Sequence, residues 1–199
     1  MSFDEIFGLI SDLQNSPYIL YFAAGFFALL LIYRGWRHIR RWWRAPHRWR
    51  LRQARAILDD IKGSEASEGA VRRLFGRLRA VDPFVFEELV LEAFRRRGLR
   101  VKRNKRYTGD GGIDGRIHLR GEVLVQSKRY KKHINPEHVK TFVRLVERQR
   151  TRGLFVHTGK TGGASWEAAG ASQRVTIVSG KGLIALVFGL PLKIFGQKL

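Results

Sequence analysis

The sequence has 199 residues, enough for one ordinary domain and an additional segment. Lysine and arginine number 38 against 17 aspartates and glutamates, and this net charge of +21 predicts a polyanionic partner, either nucleic acid or anionic lipid. Because no cysteine is present, disulfides, thiolate metal sites and cysteine nucleophiles are excluded. Hydrophobic residues make up 44% of the chain, too many for a disordered basic tail.

The first apolar segment, residues 17–33 (PYILYFAAGFFALLLIY), carries no charge and is predicted to be a transmembrane helix. It is short for this role, since about 1.5 Å of rise per residue gives about 26 Å against a hydrocarbon core of about 30 Å. Basic residues begin only at Arg34. The positive-inside rule therefore predicts a single-pass inner-membrane protein with its N-terminus outside and the rest of the chain in the cytoplasm. The alternative is a buried core helix.

Arginine and tryptophan are interleaved after this segment, for example at Arg41, Trp42, Trp43 and Arg44. Such a helix can lie on an anionic membrane surface, which makes inner-membrane lipid a predicted partner. The alternative is a segment that only retains the orientation of the span. The predicted organisation is residues 1–36 as N-terminal segment and transmembrane helix, 37–81 as basic juxtamembrane helix and linker, 82–190 as a globular domain, and 191–199 as a C-terminal tail.

The elements of the globular part are predicted in the order α-β-β-β-α-β-α-β-α. Asp82 and Pro83 form a helix start, and the apolar stripe that follows ends at Gly98. The later elements are strands at 99–102, 113–119 and 122–128, a helix at 136–150, a strand at 153–157, a helix at 163–172, a strand at 175–178 and a helix at 182–187. Helices that alternate with the later strands predict an α/β fold with a mixed sheet flanked by helices.

Polar side chains are predicted to share one face of the hairpin formed by residues 113–119 and 122–128. Side chains alternate along strands, so Asp114, Gln126 and Lys128 converge if the isoleucines and valines between them face the core. A carboxylate and an amide oxygen beside an ammonium group suit a hard cation such as Mg²⁺, and Lys128 could orient water or stabilise phosphate charge. The alternatives are a turn-stabilising Asp114 and a solvent-facing pair of Gln126 and Lys128.

Two further features surround this predicted site. Glu87 lies beside the apolar stripe of the first helix, where a carboxylate needs a partner unless it is a solvated flank. Basic residues also flank the hairpin, as expected of a rim that binds phosphates, although ordinary solvated charge is the alternative. The predicted DNA-binding rim comprises Lys102, Arg103, Lys105, Arg106, Arg129, Lys131 and Lys132.

The motifs around these residues resemble the Mrr-like restriction endonuclease family of the PD-(D/E)xK nuclease superfamily. The resemblance is carried by Phe86-Glu87, by Thr108-Gly109-Asp110-Gly111-Gly112-Ile113-Asp114 and by Val125-Gln126-Ser127-Lys128-Arg129-Tyr130. The combination of GDGGID with QxK at this spacing is specific. It covers residues 82–190 and neither the apolar segment nor the Arg/Trp segment.

The resemblance implies a restriction-endonuclease-like fold and a metal-dependent cleavage site. It implies that Glu87 is the helical acid, Asp114 the metal-binding acid and Lys128 the catalytic lysine. Gln126 replaces the usual acid of the third position, as is usual for this family, so that Asp114, Gln126 and Glu87 would hold Mg²⁺ or Mn²⁺. The loop residues Gly109, Asp110, Gly111 and Gly112 are expected to allow tight backbone turns near the phosphate.

The leading hypothesis is a membrane-anchored, metal-dependent endonuclease that hydrolyses the backbone phosphodiesters of double-stranded DNA in restriction or defence against foreign DNA. A homodimer or another oligomer is expected. One alternative is a non-catalytic membrane tether that holds DNA through its basic rim, and another is a structure-selective, junction-type nuclease. A pure binder needs the basic rim but not Glu87 and Asp114, so the acids favour the enzyme.

Overall fold

The computed structural model describes residues 17–104 and 112–199, with side chains described except at 17–20, 22–24 and 37–46. The chain divides into two compact units, Met1–Arg48 and Trp49–Leu199. The elements are α1 (Pro17–Ile61), α2 (Glu68–Ala80), α3 (Pro83–Arg96), β1 (Arg100–Arg103), β2 (Gly115–His118), β3 (Glu122–Lys128), α4 (Pro136–Arg148), β4 (Arg152–His157), α5 (Gly163–Ser172), β5 (Val175–Val178), α6 (Gly180–Phe188), β6 (Lys193–Ile194) and β7 (Gln197–Lys198).

The predicted membrane span over residues 17–33 is not supported. Within the described part of the chain, no helix has both the length and the apolar character that a membrane crossing requires. The uncharged run has 17 residues, at the lower limit of the roughly 17–25 found in spanning helices. Helix α1 then continues into the arginine-rich sequence. The membrane localisation, its orientation and the lipid contact stay predictions.

A five-stranded mixed sheet in the order β1-β2-β3-β4-β5 forms the centre of the second unit. The pairs β1–β2 and β2–β3 are antiparallel, and β3–β4 and β4–β5 are parallel. The predicted mixed α/β fold with flanking helices is confirmed. The strand predicted at 113–119 is shorter than expected, because pairing in β2 begins at Gly115. Asp114 therefore lies immediately outside the strand rather than within it.

The sheet separates two buried apolar clusters. One lies between the sheet and α3, with Phe94, Ile117 and Val125 among its members. The other lies under α4 and α5 and includes Leu124 and Phe155. The central strand β3 contributes to both clusters, which explains its long run of buried residues. These two layers fix the hairpin that carries the predicted site.

The first cluster extends beyond the boundaries predicted for the globular domain. Ile57 and Leu58 of α1 and Leu78 of α2 are at most 3% exposed and belong to it, so part of the segment predicted as juxtamembrane helix and linker is core. Residues 191–199, predicted as a tail, contain the β6–β7 hairpin, and Ile194 is fully buried. The apolar residues of this short segment were too few to give a clear strand pattern.

Helix α3 begins where the sequence predicts it. The Asp82 carboxylate accepts hydrogen bonds from the backbone N–H groups of Phe84 and Val85 at 2.9 and 3.3 Å, and Pro83 occupies the first turn. This cap sets the start of the helix. It thereby places Glu87, one turn further on, against the hairpin.

Candidate active site

Asp114 is bound to strand β3 through both its backbone and its side chain. Its backbone N–H donates to the Val125 carbonyl at 2.9 Å, and its Oδ2 accepts a hydrogen bond from the backbone N–H of Ser127. Ser127 stands between Gln126 and Lys128. The hairpin itself therefore joins the acid to the QxK motif.

Glu87, Asp114 and Lys128 lie within electrostatic reach of one another. Burial raises the pKa of Asp114 to about 7, while the Ser127 hydrogen bonds and the Lys128 charge oppose that increase. Burial also raises the pKa of Glu87 to about 8, with the charge of Asp114 as the next cause. Here too the Lys128 ammonium acts in the opposite direction. The structure thus brings together a helical acid, a hairpin acid and a lysine.

Gln126 is 6% exposed, and its amide is packed against Gly112, two residues before Asp114. A Cβ added to Gly112 would lie 2.2 Å from Gln126 Nε2, and Gly112 has a φ of +87°. Only glycine suits both the lack of space for a Cβ and the positive φ, as expected for this part of the glycine-rich loop. The Gln126 Oε1 atom is buried without a hydrogen-bond partner among the described residues. An unpaired buried amide oxygen is costly unless a ligand completes it.

These features fit a divalent cation. Two partly buried carboxyl groups with raised pKa values, Glu87 and Asp114, lie where a cation would favour their ionised forms. The unpaired amide oxygen of Gln126 would supply a third oxygen ligand. No group of three or more histidine, aspartate or glutamate side chains suited to a metal occurs among the described residues. A cation held here would need the amide and water, which is compatible with the tendency of Mg²⁺ to keep several waters.

Arg103, predicted to bind DNA, is instead engaged in an ion-pair network. Its Nε lies 2.7 Å from Glu88 Oε2 and its Nη2 lies 2.8 Å from Glu92 Oε2. Its side chain is 19% exposed, and Glu92 is completely buried. Phosphate contact through Arg103 is therefore not supported. The spacing of the two glutamates, four residues apart on one helix face, is the sequence signal for this network, and the prediction missed it.

The remaining rim residues fall into three groups. Lys102, Lys131 and Lys132 are exposed, as phosphate contact requires. Arg129 is half-buried and donates a hydrogen bond to the Arg79 carbonyl, which indicates a structural role. The third group, Lys105 and Arg106, lies outside the described residues, as do the predicted loop residues Gly109, Asp110 and Gly111.

This arrangement fits a restriction-endonuclease-like domain. It consists of a mixed sheet with an acid before β2, a QxK motif on β3 and a second acid on α3. Residues 78–187 match the family described as restriction endonuclease, Mrr catalytic type. The chain belongs to this family. The predictions of an Mrr-like nuclease domain and of an endodeoxyribonuclease class are confirmed.

A curated relative is the type IV methyl-directed restriction enzyme EcoKMrr of Escherichia coli (strain K12), 29% identical over 147 residues. The match covers 69% of this chain and 46% of the relative, so the chain spans about half the length of that protein. Among solved structures, Pyrococcus furiosus SfsA in complex with Ca²⁺ aligns at 17% identity with a TM-score of 0.33. That alignment covers 54% of this chain and 56% of SfsA, and so weak a similarity says nothing about function.

Proposed function

We propose that this protein is a metal-dependent endonuclease that hydrolyses backbone phosphodiesters of double-stranded DNA in restriction or defence against foreign DNA. The observation that carries the proposal is the grouping of Glu87, Asp114 and Lys128 beside the unpaired amide oxygen of Gln126. Membership of the restriction endonuclease family supports the same function. The name of the Escherichia coli relative describes methyl-directed restriction. Methylated DNA is therefore the first substrate to compare with unmethylated DNA.

Each residue of the site has a distinct task in this proposal. Asp114, Glu87 and the Gln126 oxygen would hold Mg²⁺ or Mn²⁺, which when bound polarises phosphate and lowers the pKa of water. The Ser127 N–H orients the Asp114 carboxylate. Lys128 supplies positive charge where negative charge develops on the phosphate oxygens during the reaction.

A DNA tether without catalysis is the second candidate, favoured by the net charge of +21. It does not explain why two acids lie beside a lysine at the end of a strand. Carboxylates near the DNA backbone weaken phosphate binding and are useful only if they serve the reaction. The site therefore favours the enzyme over the tether.

The test is nicking of plasmid DNA by the full chain with Mg²⁺, with Mn²⁺ and with a chelator. Methylated and unmethylated plasmids and a branched junction should be compared. Cleavage with metal that is lost in Lys128→Ala, by about 100-fold or more, supports the enzyme. Lys131→Ala is the matched control, since this exposed rim lysine should affect binding and leave turnover at saturation nearly normal. DNA binding without cleavage of any substrate would favour the tether.

A further inference from the structure

One face of the β1–β2 pair is charged and open. Val101 and Ile117 point to the other face, where they pack in the cluster under α3. Strand alternation places four basic side chains on the open face, namely Arg100, Lys102, Arg116 and His118. On β3, α4 covers the same face of the sheet. Leu124 points to that face and belongs to the second cluster, together with apolar residues of α4. No described residue of β1 or β2 belongs to that cluster.

Basic residues stand directly opposite each other on this face. Lys102 is paired with Arg116, and Arg100 with His118, in the register of the two strands. Like charges directly opposite each other, as at Lys102 and Arg116, destabilise a sheet. The acid among the described lining residues is Glu122, whose Oε1 lies 3.1 Å from Arg116 Nε. One acid does not neutralise the surface, so an anionic partner would stabilise the arrangement.

The β1–β2 pair lines a groove of about 520 Å³, and all four of these basic residues are among those that line it. Arg116 follows Asp114 by two residues, about 7 Å along the chain direction of β2. The phosphates of DNA recur along each strand at a rise of about 3.4 Å. A duplex that lay along β2 with one phosphate at Asp114 would therefore bring a neighbouring phosphate within reach of Arg116.

We propose that the open face of β1–β2, formed by Arg100, Lys102, Arg116 and His118, is a phosphate-binding surface that holds the DNA backbone beside the cleavage site. This inference rests on the proposed endonuclease function. Arginine and lysine provide several N–H donors that suit phosphate oxygens. Of the described residues that line the groove, none is phenylalanine, tyrosine or tryptophan, so it suits duplex backbone better than unstacked bases.

The sharpest test removes the acid of the surface. Glu122→Gln in the full chain should bind a short DNA duplex about two- to fivefold more tightly in the presence of chelator, because it removes repulsion and releases Arg116. The matched control is Glu137→Gln on α4. That glutamate has similar exposure, 62% against 56%, and is likewise ion-paired, to Lys140. The control makes the same change in net charge and should leave affinity nearly unchanged.

A second pair of variants measures the phosphate contacts. Arg100→Gln combined with Lys102→Gln should reduce the slope of log affinity against log salt by about 2, one for each lost contact. The control combines Arg148→Gln with Lys181→Gln, two exposed cations outside this surface, and should keep the wild-type slope. All four residues are exposed, so melting curves should remain close to wild type.

The outcomes separate this inference from the proposed function. A wild type that cleaves DNA while Glu122→Gln and the Arg100/Lys102 double variant match their controls would overturn the phosphate-binding surface alone. A wild type that neither binds nor cleaves DNA would overturn both. Tighter binding by Glu122→Gln together with a reduced slope in the double variant supports the surface.

Discussion

The backbone N–H of Ser127 donates a hydrogen bond to Oδ2 of Asp114, which joins the acid before β2 to the strand that carries Gln126 and Lys128. Among the twenty residue types only proline at position 127 would remove this backbone donor, so the orientation of this carboxylate is built into the hairpin. Placement of the acid and its ionisation can therefore be tested separately, by variants that keep the hydrogen-bond acceptor and change only the charge.

Replacement of Asp114 by asparagine separates the placement of this side chain from its ionisation. The asparagine carbonyl can still accept the Ser127 hydrogen bond, so the fold should be retained while the negative charge is lost. We expect cleavage to fall by at least about 100-fold, and DNA affinity to stay similar or rise slightly, because a negative charge near phosphate is removed. Plasmid nicking and duplex binding measure the two effects. Normal cleavage by a folded Asp114→Asn would show that the hairpin site is wrong.

The same two acids predict how the stability of the metal-free protein depends on pH. The pKa values of Asp114 and Glu87 are raised in the folded state to about 7 and about 8, above their ordinary values of 3.8 and 4.5. Between about pH 4 and pH 8 the folded protein therefore binds protons that the unfolded chain has released, and its stability falls as pH rises. Denaturant melts with chelator across this range should show the decrease.

Asp114→Asn should show a smaller decrease over the same range, because one of the two groups no longer titrates. Metal should oppose the decrease most at high pH, where both carboxyl groups are ionised and can bind it. Parallel curves for wild type and Asp114→Asn would contradict the assignment of the pH effect to this carboxyl group. The comparison needs no cleavage activity.

The sequence was sufficient for the features that local chemistry determines. The cap at Asp82, the end of β3 at Lys128 and the bounds of α5 follow from turn residues and periodicity, and the structure has them as predicted. The hydrogen bonds of Asp114 to the strand that carries QxK are likewise contacts across one tight hairpin turn. These are contacts between neighbours along the chain, which is why a single sequence contains enough information.

Contacts between distant elements could not be inferred in the same way. Arg103 and Lys102 are adjacent basic residues in sequence, yet the first is engaged by Glu88 and Glu92 while the second is exposed. Their different roles depend on which face of β1 packs against α3. Likewise, Ile57 belongs to the core only because α1 packs on the domain from outside its predicted boundary.

A substitution at Gly112 tests whether cleavage requires the Gln126 amide in its present position. In Gly112→Ala the new methyl group would meet Nε2 of Gln126 at 2.2 Å, and the residue would keep a positive φ of +87°. We expect destabilisation of about 1–3 kcal/mol and a displaced Gln126, with a larger loss of cleavage than of DNA binding. Thermal melts and nicking assays measure these effects.

Gly121→Ala is the control for backbone strain. Gly121 also has a positive φ, +114°, but an added Cβ would have no atom within 4 Å. This variant should lose similar stability and keep its cleavage rate under conditions where it is folded. Equal loss of cleavage in both variants would show that strain alone, and not the position of Gln126, accounts for the effect.

The ion-pair network around Glu92 gives the last prediction. Glu92 is completely buried and contacts Arg55, Arg95 and Arg103 at 2.6 to 3.0 Å. Glu92→Gln removes the negative charge that these guanidinium groups share. We expect the free energy of unfolding to fall by about 2–4 kcal/mol. The fall is limited because the arginines can partly regain water. Burial opposes ionisation of Glu92, but hydrogen bonds and charges from the arginines outweigh it and lower its pKa to about 2. Its contribution is therefore present above about pH 4.5 and is lost as pH falls towards 2, so wild type and variant should converge in acid denaturation melts.

Glu68→Gln is the control for this effect, because Glu68 pairs with Arg72 in an exposed bridge where both side chains are at least 78% exposed. It should change stability by less than about 0.5 kcal/mol. Arg103→Gln should resemble Glu92→Gln in losing stability, while the salt dependence of DNA binding keeps its wild-type slope because Arg103 contacts no phosphate. Lys102→Gln, one residue away, should do the opposite and lower the slope by about 1 with little change in melting. If Arg103→Gln lowers the slope as Lys102→Gln does, the guanidinium leaves its glutamates to bind DNA, and the structural assignment of Arg103 is wrong.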